Sequence, residues 1–294
     1  MKKLSNNSLV IFLILLSVIL GGGISPSVKV ALKQLSPEVF TFFRFALSTV
    51  IIFPFFLKQK TGIRKDLFKL IPVSLLLTIN VLLFAYGVRL TTADIGQLLY
   101  VMTPIIVLLL SHFLLDDKIN PAKILGIVLG FSGTFLVIVL PIIEGSKFSG
   151  NLLGNILILA AVTSFSFYTV FSKRFQRKYT PIELTLGVSL TTTVAMLILS
   201  LPQLPKFINE LPNISHLTIL AVLYVGIAGT AVSYGIYQYV IKLGSATIAS
   251  TILYLQPLAT IVWAYFLLSE KLSLGFVIGG LLAIFGTIIV TRYK

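Results

Sequence analysis

Residues 103–118, TPIIVLLLSHFLLDDK, and residues 256–271, QPLATIVWAYFLLSEK, decide how this chain is read. They lie 153 residues apart, and each carries a proline near its start and an acid-lysine pair at its end. The same shift superposes Leu90 on Leu243, Ala93 on Ala246, Pro104 on Pro257, Gly126 on Gly279 and Gly133-Thr134 on Gly286-Thr287, with 13 identities in the 48 positions from 90 to 137. Shared leucines would inflate such a count in any apolar protein; matched proline, glycine and lysine do not. Upstream the shift becomes 144, placing Lys29 on Lys173 and Ser36-Pro37 on Thr180-Pro181. A self-similarity of this length marks two copies of one structural unit, expected at 1–142 and 143–294.

The composition says where such units sit. Of the 294 residues, 57% are hydrophobic and 11% charged, whereas a soluble domain carries about 25% charged residues. Apolar runs separated by charged or turn-forming residues fall at 8–28, 37–57, 67–88, 92–115, 121–140, 151–172, 181–201, 215–241, 245–268 and 273–291. At about 20 residues each they have the length of a bilayer-crossing helix. Met1-Lys2-Lys3 before Leu9 to Leu20 has the outline of a signal peptide, but no small-x-small cleavage site follows, so this run is read as an uncleaved first helix. The fold class expected is an all-α polytopic membrane protein of about ten transmembrane helices. Five per copy is an odd number, so the second copy enters the membrane from the other side. Two inverted repeats of this kind build alternating-access transporters around a midplane site.

The net charge of +14 follows the same topology. With a cytoplasmic N-terminus, sixteen of the 23 lysines and arginines fall on the cytoplasmic side, six on the other, and Arg44 within a span. That bias is the positive-inside pattern, and both termini are expected in the cytoplasm. The basic residues punctuate apolar runs instead of forming an exposed stripe, so no nucleic-acid partner is expected. There are no cysteines and only two histidines, His112 and His216. Disulfides and thiolate metal sites are therefore excluded, and no cofactor or metal is expected.

In lipid a bare amide or charge is costly, so such groups should face other helices or a water-filled cavity. Arg44 is the one charge well inside a span; it attracts an anionic substrate group, pairs with a mobile gate, or snorkels outward. Asn80, Tyr86, Gln97, Tyr100 and Thr103 sit in the third and fourth runs. Ser233, Tyr234, Tyr237, Gln238, Thr251, Tyr254 and Gln256 sit in the eighth and ninth, with Trp263 one helical face onward. Gln97, Tyr100 and Pro104 share one stripe, as do Thr247, Thr251 and Tyr254. Each set could line a cavity or glue helices together. Pro104 and Pro257 each remove a backbone bond and are candidate hinges. Gly126-xxx-Gly130 and Gly275-xxx-Gly279 permit close helix approach, within the chain or in a homodimer.

Gly22 to Lys29, Ser36-Pro37 to Arg44-Phe45, and the two proline-centred helices ending in acid-lysine, each followed by a glycine-rich helix, together resemble the EamA-type transporters of the drug/metabolite transporter superfamily. The resemblance covers nearly the whole chain. It implies a plasma-membrane carrier (the inner membrane in a bacterium) for small molecules such as amino acids, nucleobases, sugars or toxic solutes. It also implies a cavity lined by the first, third and fourth helices of each half, which adds Ser164, Ser166 and Tyr168. Gly21 departs from the family, which often has Trp before the glycine.

None of the nine acids lies mid-span, and His112 is the sole titratable candidate for proton coupling. The expected activity is therefore secondary transport, by export or exchange, of neutral or zwitterionic metabolites such as amino acids, with the lipid bilayer and a small-molecule substrate as partners. The alternatives are proton-coupled drug efflux, a channel, or an intramembrane lipid-modifying enzyme; for the last, no HExxH, paired embedded acids or phosphate loop is present.

Overall fold

The computed structural model describes residues 6–59, 66–91, 99–145, 151–268 and 274–292. Every regular element among them is helical. The first half contains α1 (Asn6–Gly22), α2 (Ile24–Ala31), α3 (Pro37–Leu57), a 3-10 turn (Leu67–Leu70) leading into α4 (Ile71–Leu90), α5 (Thr103–Leu115) and α6 (Pro121–Gly145). The second contains α7 (Leu152–Phe175), α8 (Pro181–Ser200), the short α9 (Leu204–Glu210), α10 (His216–Tyr224), a π-helix (Val225–Val232), α11 (Ser233–Leu243), α12 (Ala246–Ser250), α13 (Ile252–Leu268) and α14 (Leu274–Arg292). Six helical stretches among the described residues are long and apolar enough to cross a bilayer: Asn7–Ala31, Pro37–Leu57, Leu67–Leu90, Leu152–Phe175, Pro181–Asn213 and His216–Leu243. Thr103–Leu115, Pro121–Leu136 and Ile278–Arg292 are shorter apolar helices. Large apolar side chains such as Phe12, Ile19, Val50, Phe113, Leu152 and Leu217 point away from the protein. A water-soluble surface rarely tolerates apolar exposure on this scale; a lipid-facing one requires it.

Local chemistry sets the helix starts. Ser36 caps α3 by accepting from the Val39 N–H, with Pro37 in the first turn. Thr180 does the same for α8: its hydroxyl accepts from Glu183 N at 3.2 Å, and Glu183 Oε2 accepts from Thr180 N at 2.6 Å. The matched Ser36-Pro37 and Thr180-Pro181 are therefore both N-caps followed by a proline that needs no partner for its missing N–H. The two repeat-matched central prolines behave differently. Pro104 lies in the first turn of α5, after a turn at Val101–Met102, so it takes no bond from a running helix. Pro257 does lie inside a helix, α13. The break in that half comes earlier, at Thr251, which separates α12 from α13 and donates its N–H to Ile248 O at 3.2 Å.

Three helix pairs form the frame: α3 with α8, α4 with α7, and α6 with α14. Hydroxyl pairs bridge the first of these and tie α4 to α8: Ser48 to Ser189 at 2.8 Å, Thr49 to Thr193 at 3.2 Å and Thr78 to Thr192 at 2.8 Å. In a bilayer such bonds contribute about 0.6 kcal/mol each on average. The α6–α14 seam is closer, with backbone against backbone. A Cβ on Gly126 would sit 2.8 Å from Gly286 O, one on Gly133 2.6 Å from Ala283 N, and one on Gly286 2.5 Å from Gly130 N. Gly126 thus faces residue 286 and Gly133 faces residue 279, an antiparallel crossing within one chain.

Because the obstacles are main-chain atoms, Gly133→Ala should destabilise the protein by about 1–3 kcal/mol, the usual cost of overpacking. Gly235→Ala, where nothing lies within 4 Å of the added methyl, should stabilise it by about 0.5–1 kcal/mol through helix propensity. Midpoints of thermal unfolding in detergent check both signs.

Candidate functional site

A cavity of about 140 Å³ lies among α1, α2, α3, α4, α7, the π-helix, α11 and α13. Among the described residues Arg44 from α3 is its one charged lining residue, 5% exposed. Its Nε donates to Thr230 Oγ1 at 2.6 Å, and a terminal nitrogen donates to the Tyr234 hydroxyl at 3.4 Å. The guanidinium also lies 5.3 Å from the Phe45 ring centre and 5.7 Å from that of Tyr234, within reach of cation–π attraction. Among the described residues no carboxylate pairs with it. A charge at bilayer depth costs about 2.5–3.5 kcal/mol on insertion scales, offset here, among the described residues, by neutral hydrogen-bond acceptors and aromatic rings. Snorkelling does not describe this side chain, because it is buried between α3 and the π-helix.

Thr230 reaches Arg44 because of the helix type at its position. Its hydroxyl donates back to Val225 O at 2.7 Å, five residues earlier, and Ser233 donates to Ala228 O, also five earlier, at 2.7 Å. In α-helices such back-bonds run to the fourth residue, as Thr78, Thr134 and Thr169 do here. The two i−5 bonds suit the wider π turn, a form often found at functional sites.

The remaining wall is amide and aromatic. Asn80 Nδ2 donates to the Tyr100 hydroxyl at 2.6 Å and to Ala161 O at 2.7 Å. Tyr100 meets Phe84 edge-on at 5.4 Å, and Phe165 lies 5.4 Å from Tyr237, whose hydroxyl bonds Thr169 at 2.9 Å. Gln256 lies over Gly21: a Cβ there would come 2.5 Å from its Nε2. The residue that stands where the related family often has Trp therefore leaves room for a Gln amide in the cavity.

The structure brings Arg44, Asn80, Tyr100 and Tyr234 together, with Ser233, Tyr237 and Gln256 beside them. Other expected residues lie elsewhere. Tyr86 lines a separate cleft of about 420 Å³ at the α2–α3 turn and bonds Glu38. Ser164 donates to Leu76 O at 2.6 Å, tying α7 to α4. Tyr168 and Gln238 bond each other at 2.6 Å in a buried network beyond Tyr237. Thr251 turns back to Ile248 O at 2.7 Å. Tyr254 packs on Gly130, where a Cβ would be 2.6 Å from its ring. Gln97 and the side chain of Trp263 lie outside the described residues. Phe84 and Ser17 were legible as helical neighbours of Asn80 and Gly21 at i+4 and i−4; Phe165 and Gly229 gave no signal, since apolar and glycine residues occur throughout the chain.

Six spanning stretches and a lipid-facing apolar surface define a multi-pass membrane protein. The EamA-like transporter family matches the chain twice, at residues 8–139 and 152–292. An uncharacterised transporter of Archaeoglobus fulgidus is 27% identical over 269 residues, covering 91% of this chain and 93% of that one. The uncharacterised transporter YdfC of Bacillus subtilis is 26% identical over 268 residues, covering 89% and 84%. A solved crystal structure superposes with a TM-score of 0.77 at 18% identity over 97% of both chains, which shows a shared fold. The chain belongs to the EamA-like transporter family.

Thr230→Val removes a 2.6 Å hydrogen bond to a buried cation and should lower stability by about 1.5–3 kcal/mol. Tyr234→Phe, losing a 3.4 Å contact, should lower it by less. Paired melts in detergent read the difference.

Proposed function

We propose that this membrane transporter is a secondary carrier, an exporter or exchanger, that moves small neutral or zwitterionic metabolites such as amino acids by alternating access. The observation that carries the reading is Arg44, a buried cation on a cavity wall whose partners among the described residues are all neutral. It supplies the countercharge for a substrate carboxylate, and its anchoring by Thr230 and Tyr234 fixes where that carboxylate sits. Phe84, Tyr100, Phe165, Tyr234 and Tyr237 offer ring faces to an apolar side chain or an ammonium group. A cavity of about 140 Å³ is well below the roughly 300–1,000 Å³ typical of drug-sized ligands, which favours a small metabolite over a bulky drug.

In this reading the chain is two inverted five-helix halves, 1–142 and 143–294, ten helices in all. Three contacts support it. Gly126 against residue 286 and Gly133 against residue 279 exchange with each other under the 153-residue shift. Thr49 and Thr193, 144 residues apart, bond one another. Contacts that map onto themselves when the halves are swapped are the mark of a two-fold relation, and the antiparallel α6–α14 crossing fits an axis in the membrane plane. The family's two matches divide the chain in the same way. The sixteen-to-six bias of basic residues supports cytoplasmic termini in a plasma membrane.

Protein reconstituted in liposomes and preloaded with single unlabelled amino acids should show counterflow of at least one labelled counterpart. Arg44→Gln should cut that flux at least ~tenfold, a loss of about 1.4 kcal/mol, while leaving elution from a sizing column unchanged. Product formation from lipid without solute movement would overturn the carrier reading.

A further inference from the structure

At one end of the bundle two helices cap each other. Lys173, in the last turn of α7, donates its Nζ to the carbonyl oxygens of Ile241 at 2.8 Å and Gly244 at 3.0 Å, at the end of α11. Lys242, in the last turn of α11, donates to Gln176 O at 2.6 Å, at the end of α7. A helix C-terminus presents unsatisfied carbonyls and the negative end of its dipole, so each lysine neutralises the other helix's terminus. Gln176 extends the clamp inward by donating to Gln238 O and Oε1 at 2.8 and 2.7 Å. Gln238 continues it to Tyr168 and to Ser172. Next along α11 is Tyr237, which lines the cavity. Hydrogen bonds thus join α7 and α11 from this end inward to the level of Gln238, the residue beside Tyr237.

The repeat supplies a second set of the same groups. Under the 144-residue shift Lys173 falls on Lys29 and Gln176 on Leu32; under the 153-residue shift Lys242 falls on Arg89, Ile241 on Val88 and Gly244 on Thr91. Lys29 lies in the last turn of α2 and Arg89 in the last turn of α4. Here, however, both cations are exposed, and neither has a hydrogen bond or ion pair to a described residue. Leu32 and Arg89, the counterparts of a bonded pair, both line the open cleft of about 420 Å³. One set of five groups is closed and its counterpart is open.

We propose that Lys173 with Lys242, and Lys29 with Arg89, are two copies of one latch that close in alternation. In the state described here the first latch holds the α7 and α11 ends together. In the opposite state it parts, and the second closes the cleft as Arg89 bonds Leu32 O and Lys29 bonds the carbonyls of Val88 and Thr91. Closing either latch places two cations on two helix termini, so the latches balance each other. The inference rests on the inverted-repeat, alternating-access reading.

The chain has no cysteine, so single reporters can be labelled cleanly. Thr247→Cys, buried just beyond the closed latch, and Ser25→Cys, on the cavity wall, are reacted with biotin-maleimide in detergent. Lys173→Gln with Lys242→Gln should raise labelling at 247 about tenfold and lower it at 25. Adding Lys29→Gln with Arg89→Gln should return both toward the parent values. Lys173→Arg with Lys242→Arg should leave both reporters as in the parent, which separates loss of the cation from misfolding. Failure of the first pair to shift the reporters, or of the second pair to reverse the shift, overturns the latch. A mixture of amino acids at millimolar concentration, added to the parent reporters, tests the underlying reading separately. Reciprocal change with solute but none with the lysine variants overturns the latch alone. Reporters that never change reciprocally overturn alternating access, and the latch with it.

Discussion

A bilayer supplies no hydrogen bonds, so every polar group this chain carries into it must find its partner inside the protein. That constraint sorts the structure. Where the partner is the group's own helix, the hydroxyl turns back to a carbonyl four residues earlier, as Thr78, Thr185 and Thr287 do. Where it is a neighbouring helix, paired hydroxyls join α3 and α4 to α8. Where side chains are absent altogether, glycines on α6 and α14 let two backbones meet. At the cavity, Arg44, Gln256 and the ring faces line a space that the described residues leave empty.

The frame and the site occupy different pairings of the same helices. The α6–α14 seam joins main chain to main chain, and it lies away from the cavity wall. Much of the wall comes from broken or irregular helices, since α1 and α2 part at Gly23, α12 and α13 at Thr251, and the π-helix separates α10 from α11, while the unbroken α3, α4 and α7 supply Arg44, Asn80 and Phe165.

How much of this was legible depends on which physical signal wrote it. Apolar runs flanked by charge located the helices, because bilayer crossing needs both length and composition. Matched proline, glycine and lysine are the signal for a repeat in the sequence, because those residues do positional work that leucine does not. Arg44 stood out because a mid-span charge has few explanations. Tyr86, Tyr168, Gln238 and Tyr254 satisfied the same polarity criterion yet lie off the cavity, since a polar residue facing another helix and one facing a solute look alike in a single sequence. Pro104 reads as a candidate hinge inside a helix, but proline is also a good first-turn residue, and only the turn at Val101–Met102 distinguishes the two. The π-helix left no compositional trace: VGIAGTAV would suit an α-helix equally well.

That unannounced segment governs which residues the cavity has at all. Each residue advances an α-helix by about 100°, and a π turn takes up residues that an α turn would pass onward as rotation. Rewound as α-helix, Val225–Val232 would swing α11 about its own axis, and Tyr234 and Tyr237 would leave the wall while other faces of the helix replaced them. Two hydroxyls, on Thr230 and Ser233, hold the winding that prevents this. The chemistry offered to a solute is in that sense a matter of angular phase, set by helical pitch as much as by the residues themselves.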